Sequence, residues 1–355
     1  MRAAALLVRG FRNLADTALE FPPGAVVLLG PNGHGKTNLL EAVAYPVLFR
    51  SLLGSRDRDV ARHGGPGFHV LLTRDDGVAI GATWDAVTGK KRVTVDDIDH
   101  PRITDAIGAW LAVAFLPSDL ALVQGGAAER RRWIDRMLSL AHPSYLSVLL
   151  HYRAALAQRG AALRRGDVRL ATAFDQALGQ AGAAVMTTRL EWMTHAETAL
   201  REELAALGEP LEVTLRYRGD AALSDPDTWR ERLRESIDRD LRRGQTHVGP
   251  HRDELSIGLA GHGLREFGST GQQRTAAIAL RLLEHATLAT RIGAPPALLV
   301  DDIFAELDGE RQERLAARLQ RLDAQLMVTA PRAEDVPSLL EAPRWHVTDG
   351  RIQPA

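Results

Sequence analysis

Short apolar segments, some alternating and some continuous, dominate the first hundred positions. Leu6-Leu7-Val8 and residues 17–21 read as two strands flanking Gly10-Phe11-Arg12-Asn13, and Pro22-Pro23-Gly24 supplies a turn before the apolar run Val26-Val27-Leu28-Leu29. That run is continuous and ends in glycines, as a buried strand entering a turn would. Past Lys36, residues 38–44 favour helix, with Pro46 near a kink or the helix end. Residues 66–100 alternate in segments such as His69-Val70-Leu71-Leu72 and Arg92-Val93-Thr94-Val95, separated by Asp-Gly and Thr-Gly. Those dipeptides predict hairpins and a small antiparallel sheet.

From about Pro117 the period lengthens. Leu190, Met193, Glu197, Leu200, Leu204 and Leu207 follow a three-four spacing, a coiled-coil seam with one polar position. Leu146, Leu149, Arg153, Leu156 and Leu163 follow a broken version of it, and Arg164-Arg165-Gly166-Asp167 reads as the turn between. The expectation is an antiparallel helical arm; a helical subdomain packed on the body is the alternative. Residues 211–217 alternate (Leu211, Val213, Leu215, Tyr217), and 224–243 predict a helix with Trp229, Leu233, Ile237 and Leu241 on one face. The last third returns to strands: a helix over 275–290, a buried parallel strand Ala297-Leu298-Leu299-Val300-Asp301-Asp302, another over 325–329, and a terminal pair around Asp349-Gly350.

Chemistry enters at Gly30-Pro31-Asn32-Gly33-His34-Gly35-Lys36-Thr37. In G-x-x-x-x-G-K-T the glycines let backbone N–H groups turn inward around phosphate oxygens at a helix N-terminus. Lys36 would reach the β- and γ-phosphates of ATP, and the Thr37 hydroxyl would sit on Mg²⁺. A glycine-rich turn that binds nothing is the bland reading, disfavoured by the strand before and the helix after. Four aliphatics ending in two acids supply the second half of such a site. Asp301 would hold Mg²⁺ through water, and Asp302 would orient or deprotonate an attacking water.

Composition changes this little. The chain has 45% hydrophobic and 25% charged residues, no cysteine, and a net charge of −1. No apolar run approaches the roughly 18 residues of a membrane span, and no cleavable signal pattern opens the chain, so a soluble, cytoplasmic protein is expected. The missing cysteines exclude disulfides and cysteine-ligated zinc and fit a reducing compartment. Only three of the 44 basic residues are lysine (Lys36, Lys90, Lys91), so nucleic-acid contacts would rest on local arginine patches.

The phosphate loop and the acidic strand lie far apart in sequence with helices between, a layout that resembles the ATPase heads of the SMC and Rad50 group. Ser269-Thr270-Gly271-Gln272-Gln273-Arg274 is similar to that group's signature loop. Within it the chain resembles the RecF family, through Phe11-Arg12-Asn13, the run 30–42, Arg50-Ser51, Arg131-Arg132, Asp135, Gln158-Arg159, Thr246 with Gly249-Pro250-His251-Arg252-Asp253, and Asp301 to Asp308. It departs at Leu53 and Gly160, where the family has arginine and asparagine, at Glu254, a lengthened acid, at Ala305, where a serine is usual, and at Thr329-Ala330, where transport-type ATPases place a histidine.

The resemblance implies an ABC-type P-loop ATPase head of α/β class, with a mixed sheet and an inserted, short coiled-coil-like helical arm. The expected parts are 1–116 and 244–355 for the head and 117–243 for the arm. Two heads would sandwich two nucleotides, with Ser269 and Gly271 of one capping the γ-phosphate held by the other. Nucleotide contacts would come from Arg12, Gly30, Asn32, Gly33, His34, Gly35, Lys36, Thr37, Asn38, Ser269, Gly271 and Gln272. Thr37, Asp301 and Gln124 would serve Mg²⁺, and Lys36, Asp302 and Ser269 catalysis. Slow ATP hydrolysis would time an ATP-dependent homodimer on DNA at gaps and single-strand/double-strand junctions, helping RecO and RecR load RecA. Candidate DNA contacts are Arg56, Arg58 and Arg62; Arg130, Arg131 and Arg132; and Arg239, Arg242 and Arg243, each equally readable as a solvated helix face. His247, His251 and Asp253 could suggest a metal, less well than a loop that tunes the head near the nucleotide. Rival functions are a transporter ATPase subunit, a Rad50-like nuclease-associated ATPase and a small-molecule kinase. The first lacks a Leu-Ser-Gly-Gly-Gln loop, the second would need much longer arms, and the third would need a lid and an acceptor pocket.

Overall fold

A computed structural model describes residues 1–209 and 213–354, which divide into two compact units: residues 1–119, 206–208 and 284–355, and residues 120–205 and 209–283. The first unit has two six-stranded sheets. One is antiparallel, in the order Thr17–Glu20, Ala3–Arg9, Gly67–Arg74, Ala79–Asp85, Lys91–Val95, Ile98–Asp99. In the other, the strands Arg344–Thr348, Ala25–Leu29, Leu326–Ala330, Ala297–Asp301 and Ala112–Phe115 run parallel in that order, with Arg351–Gln353 added antiparallel at the edge. All five residues of Ala297–Asp301 and of Leu326–Ala330 are buried, which is why these strands read as unbroken apolar runs.

The helix Lys36–Leu48 packs against both sheets. Pro46 lies in its last turn and the chain leaves at Phe49 with φ 52°, so the proline marks the end rather than a mid-helix kink. Phe11, Tyr45 and Phe68 meet edge to face with centroids 5.1–6.0 Å apart. Each such pair contributes about 0.5–1.5 kcal/mol beyond its buried area. Together they anchor the turn 10–13 beside the phosphate loop, because Phe11 is fully buried within it.

The second unit holds a three-stranded antiparallel sheet, Val213–Arg218, Glu254–Leu259 and His262–Gly263, and the helices Ala127–Ala141, Pro143–Arg164, Asp175–Ala206 and Pro226–Arg243. Leu211, the first position of the expected alternation, lies outside the described residues. Both expected leucine seams hold in part: Leu200, Leu204 and Leu207 are buried in one and Leu149 and Leu163 in the other, while the remaining positions are displaced. In Asp175–Ala206 the buried line runs through Leu178, Gly182, Met186, Arg189, Ala196, Leu200 and Leu204, whereas Leu190, Met193 and Glu197 are half-exposed and Leu207 follows the helix end. In Pro143–Arg164 it runs through Tyr145, Leu149, Tyr152, Ala155 and Arg159.

The physical reason is that each line carries a paired arginine. Arg159, fully buried, donates to Asp175 at 2.8 Å, Asp240 at 2.7 Å and Thr246 at 2.8 Å. Arg189 donates to Asp135 at 2.6 Å, the Tyr217 hydroxyl at 2.8 Å, the Pro250 carbonyl at 2.9 Å and the Tyr145 hydroxyl at 3.1 Å. A buried guanidinium is tolerated only with such a set of acceptors, so these helices face a polar core. Gly182 is required by packing: a Cβ there would lie 2.2 Å from the Trp229 ring.

Candidate nucleotide site

The strand Ala25–Leu29 enters the loop at Gly30, whose φ of 155° and close approach to the Val347 carbonyl leave no room for a Cβ. Gly33 and Gly35 take φ of 82° and 111°, conformations that side chains resist. Gly35 is also the N-cap of Lys36–Leu48, so the loop amides and the positive end of a 13-residue helix face one place. Lys36 is buried over this loop, its Nζ donating to the carbonyls of Gly30 at 2.7 Å and Pro31 at 3.2 Å and to Asn32 Oδ1 at 3.4 Å.

The acids stand at the C-terminal end of Ala297–Asp301, one strand removed from Ala25–Leu29 in the parallel sheet. Thr37 Oγ1 lies 2.9 Å from both carboxylate oxygens of Asp301. Thr329, on the strand between, reaches Asp301 Oδ1 at 2.8 Å and Asp302 Oδ1 at 3.2 Å and accepts the Asp302 amide at 2.9 Å. Burial raises the Asp301 carboxyl above its ordinary range; its hydrogen bonds from Thr329 and Thr37 work the other way, and the neighbouring Asp302 adds to the rise. Asp302 sits at φ 51°, which turns it out of the strand line.

Several groups support the loop; Asn13, Glu41, Ser55 and Asp349 carried no sequence-derived role, whereas Arg12, His34 and Asn38 were expected at the nucleotide. Asn13 donates to the Gly33 carbonyl at 3.1 Å and accepts from Asn38 at 2.7 Å, holding the loop from outside. His34 accepts the Asp349 amide at 3.0 Å on Nδ1, and the His34 carbonyl accepts the Gly350 amide at 2.9 Å, so the terminal hairpin grips the loop. Arg12 is committed: it donates to both oxygens of Glu41 at 2.8 and 3.2 Å, to Ser55 at 2.8 Å and to the Asp59 carbonyl at 2.8 Å. Glu41, fully buried, also accepts from Ser51. The only sequence signal for these contacts was their position inside motifs already noticed.

In the second unit, Ser269 and Gln272 form a reciprocal capping box: the Ser269 hydroxyl accepts the Gln272 amide at 3.2 Å and the Gln272 side chain accepts the Ser269 amide at 2.9 Å. Ser269 is exposed at the start of the helix Thr270–Ile292. Gln124 spends its amide nitrogen on Gln273 at 2.7 Å, and Gln273 ties to the carbonyls of Leu264, Arg265 and Gly268. His251 bonds Tyr152 at 2.6 Å and the Thr246 carbonyl at 3.0 Å, and Asp253 accepts from Tyr217. The loop 246–253 is thereby tied into its own unit, and no cluster of three or more His, Cys, Asp or Glu side chains that could hold a metal ion occurs among the described residues.

The arginine candidates separate. Arg130 is buried, paired with Glu254 at 2.8 Å and bonded to the Gly125 carbonyl at 2.8 Å, so it is structural. Arg131 bonds the Asp253 carbonyl at 2.5 Å and Arg132 pairs with Glu129. Arg62 bonds Asp16 at 2.7 Å and Arg58 lies 3.4 Å from Asp59, while Arg56 is exposed.

A glycine loop closing on a helix, beside an acid-ended parallel strand, defines a P-loop ATPase head of the ABC and SMC type. Residues 5–93 match the protein family described as an AAA domain. The chain is 35% identical over 402 residues to the DNA replication and repair protein RecF of Roseiflexus castenholzii, covering 99% of each, and 36% identical to that of an Anaeromyxobacter species over 93% of this chain and 92% of its relative. Among solved structures, a recombination mediator RecF bound to ATP, from the RecFOR pathway, superposes with a TM-score of 0.90 at 28% identity, covering 100% of this chain and 97% of that one. An Smc head domain from Pyrococcus furiosus superposes at 0.59 with 14% identity over 100% of this chain and 96% of that one, a likeness of fold alone. The chain belongs to the RecF family of DNA replication and repair proteins. No described helix is long and apolar enough to cross a membrane.

Proposed function

We propose that this chain is an ATP-gated DNA clamp: it binds ATP and Mg²⁺, dimerises through them on gapped or junction DNA, hydrolyses ATP slowly, and acts with RecO and RecR to promote RecA loading. The observation that carries the reading is the shared placement of Thr37, Asp301 and Thr329 beside the glycine loop. A hydroxyl and a carboxylate converging from two elements make an all-oxygen donor set that suits Mg²⁺. The cradle suits a polyphosphate, because open space lies over Gly33, while Gly30 and Gly35 let the loop pack closely against Val347, Asn13 and Leu14. When bound, Mg²⁺ would neutralise charge on the phosphate oxygens.

The remaining roles belong to side chains of this chain. Lys36, buried and held by loop carbonyls, would donate to phosphate oxygens instead. Thr37 and Asp301 would hold the cation, with Gln124 offering at most its carbonyl oxygen. Asp302, held by Thr329, would orient the attacking water and accept its proton. Gly30, Asn32, His34, Gly35 and Asn38 shape the loop, and Arg12 acts on it through Glu41 and Ser55 rather than by direct contact. Ser269, Gly271 and Gln272 would meet the partner copy's nucleotide; Ser269 is exposed and Gly271 and Gln272 half-buried at a helix N-terminus, which favours an anion there. A nucleotide shared between two copies couples dimerisation to ATP by mass action.

The test is the molar mass and gapped-DNA binding of the protein with ATP, ADP or no nucleotide, beside Lys36→Met and Ser269→Arg. ATP alone should yield a DNA-binding dimer and both variants should remain monomers. A protein that stays monomeric with ATP, or binds DNA equally in all three states, overturns the reading.

A further inference from the structure

The helix Pro226–Arg243 ends in Arg239, Arg242 and Arg243, spaced so that all three share one face. The chain then turns at Gly244, φ 64°, and folds back so that His247 donates its amide to Asp240 at 3.1 Å and sets its Nδ1 2.8 Å from the same carboxylate. Asp240 is itself fully buried against Arg159, so this ring is fixed from below. Gly249, φ 121°, lets the following loop lie against Trp229, where a Cβ would come within 2.5 Å of the ring. The loop so placed brings Arg252 round to face the helix end. The result is an open cleft of about 620 Å³ lined by Arg239, Arg242, Arg243, Gln245, His247 and Arg252.

None of these four arginines has a hydrogen-bond or ion-pair partner for its guanidinium among the described residues. Earlier on the same helix two of three arginines are paired: Arg232 lies 3.3 Å from Glu235 and 3.4 Å from Asp220, and Arg230 lies 3.8 Å from Asp227, while Arg234 is exposed. Arginines in a last turn also complement the helix dipole, which accounts for Arg242 and Arg243 but not for Arg252 on the facing wall. Four like charges gathered in one concavity of a chain with net charge −1 raise the local potential toward polyanions.

We propose that this cleft seats the sugar-phosphate backbone of DNA, the arginines of its two walls spanning successive phosphates and Gln245 and His247 offering further hydrogen-bonding groups. The inference rests on the DNA-clamp reading above and names where part of the DNA lies. No Phe, Tyr, Trp or aliphatic side chain lines the cleft, which suits contact with phosphates more than stacking on bases.

The experiment measures gapped-duplex affinity of the full chain in ATP between 50 and 200 mM salt, as about three decades of salt-sensitive affinity can be read there. The Arg239→Ala, Arg242→Ala, Arg252→Ala triple variant should bind at least tenfold more weakly. Its log–log salt slope should be shallower by about 0.9 for each phosphate left without an arginine, and its ATP-dependent molar mass should be unchanged. The corresponding triple lysine variant should keep the wild-type slope. Wild-type protein that binds gapped DNA while the alanine variant matches it in affinity and slope overturns this inference alone. A lysine variant as weak as the alanine one also overturns it, since the weakening then reflects damaged folding. Wild-type protein that binds no gapped DNA in ATP overturns the clamp reading and this inference together.

Discussion

Thr37 Oγ1 stands 2.9 Å from both carboxylate oxygens of Asp301, although 264 positions separate the two residues. The contact joins the first residues of the phosphate-loop helix to the end of the acidic strand. It places an oxygen pair where a divalent cation beside the glycine loop would need it. Substituting Asp301→Asn keeps the shape and removes the charge. Magnesium-dependent ATP affinity should fall roughly 10–100-fold while affinity in EDTA is unchanged, by nucleotide titration with and without the cation. Because burial already disfavours the Asp301 carboxylate, the unfolding midpoint of the nucleotide-free variant should not fall.

Thr329 is the hinge between the two acids, so Thr329→Val tests the bridge with little change of volume. It strips a hydroxyl from two carboxylates and from the Asp302 amide. An unsatisfied buried polar group costs about 1–3 kcal/mol, and urea unfolding should register a loss of that size. Steady-state ATPase should drop as well, since Asp302 is no longer oriented by the hydroxyl. Unaltered stability and turnover would show the bridge to be incidental.

Arg189 organises the polar core of the second unit through Asp135, Tyr145, Tyr217 and Pro250. Arg189→Met should destabilise that unit by roughly 3–5 kcal/mol, because the Asp135 carboxylate keeps only the neutral Tyr145 hydroxyl and the exposed Arg153. Hydrogen exchange should show the loss in Ala127–Ala141 and Pro143–Arg164 ahead of the parallel sheet. Uniform protection across the chain would refute the assignment.

Burial lowers His285 and His251 to about 4. Their unfolded values lie near 6.5, so above that pH neither contributes to any stability difference. As pH falls from about 6.5 toward 4, the unfolded chain takes up protons that the folded chain refuses, and stability is lost. His285, fully buried against the Pro296 carbonyl, accounts for about 3 kcal/mol at most, by roughly 1.4 kcal/mol per pKa unit. Asp301, Asp253 and Asp175, whose carboxyls burial raises, oppose this trend over part of the same range. The readout is therefore a difference: the urea midpoint should shift less between pH 7 and 4.5 in His285→Gln than in the wild type. Parallel shifts in both would count against it.

Much of the head could be read along the chain. A run of four aliphatics before a glycine loop, and another before two acids, read as buried parallel strands, and both are strands of the parallel sheet. Lys36, Thr37, Asp301 and Asp302 were legible for that reason. The helical region was legible in kind but only partly in phase. A leucine count cannot anticipate that Arg159 and Arg189 turn inward, because burial of a guanidinium depends on acceptors at Asp240, Thr246, Asp135 and Pro250, all distant in sequence.

Sequence by itself determined the loop, the acidic strand end and the helix caps, since each depends on residues within a few positions and on backbone preferences that travel with them. Strand order was decided only in three dimensions. Leu326–Ala330 follows the acidic strand along the chain yet inserts between it and Ala25–Leu29, so that Leu28 and Asp301 both pair with Thr329. That insertion makes Thr329 the bridge and brings Thr37 to Asp301. It arises because the middle of a parallel sheet is filled by whichever strand can be buried on both faces, a condition set by packing across the whole unit rather than by any local run of residues.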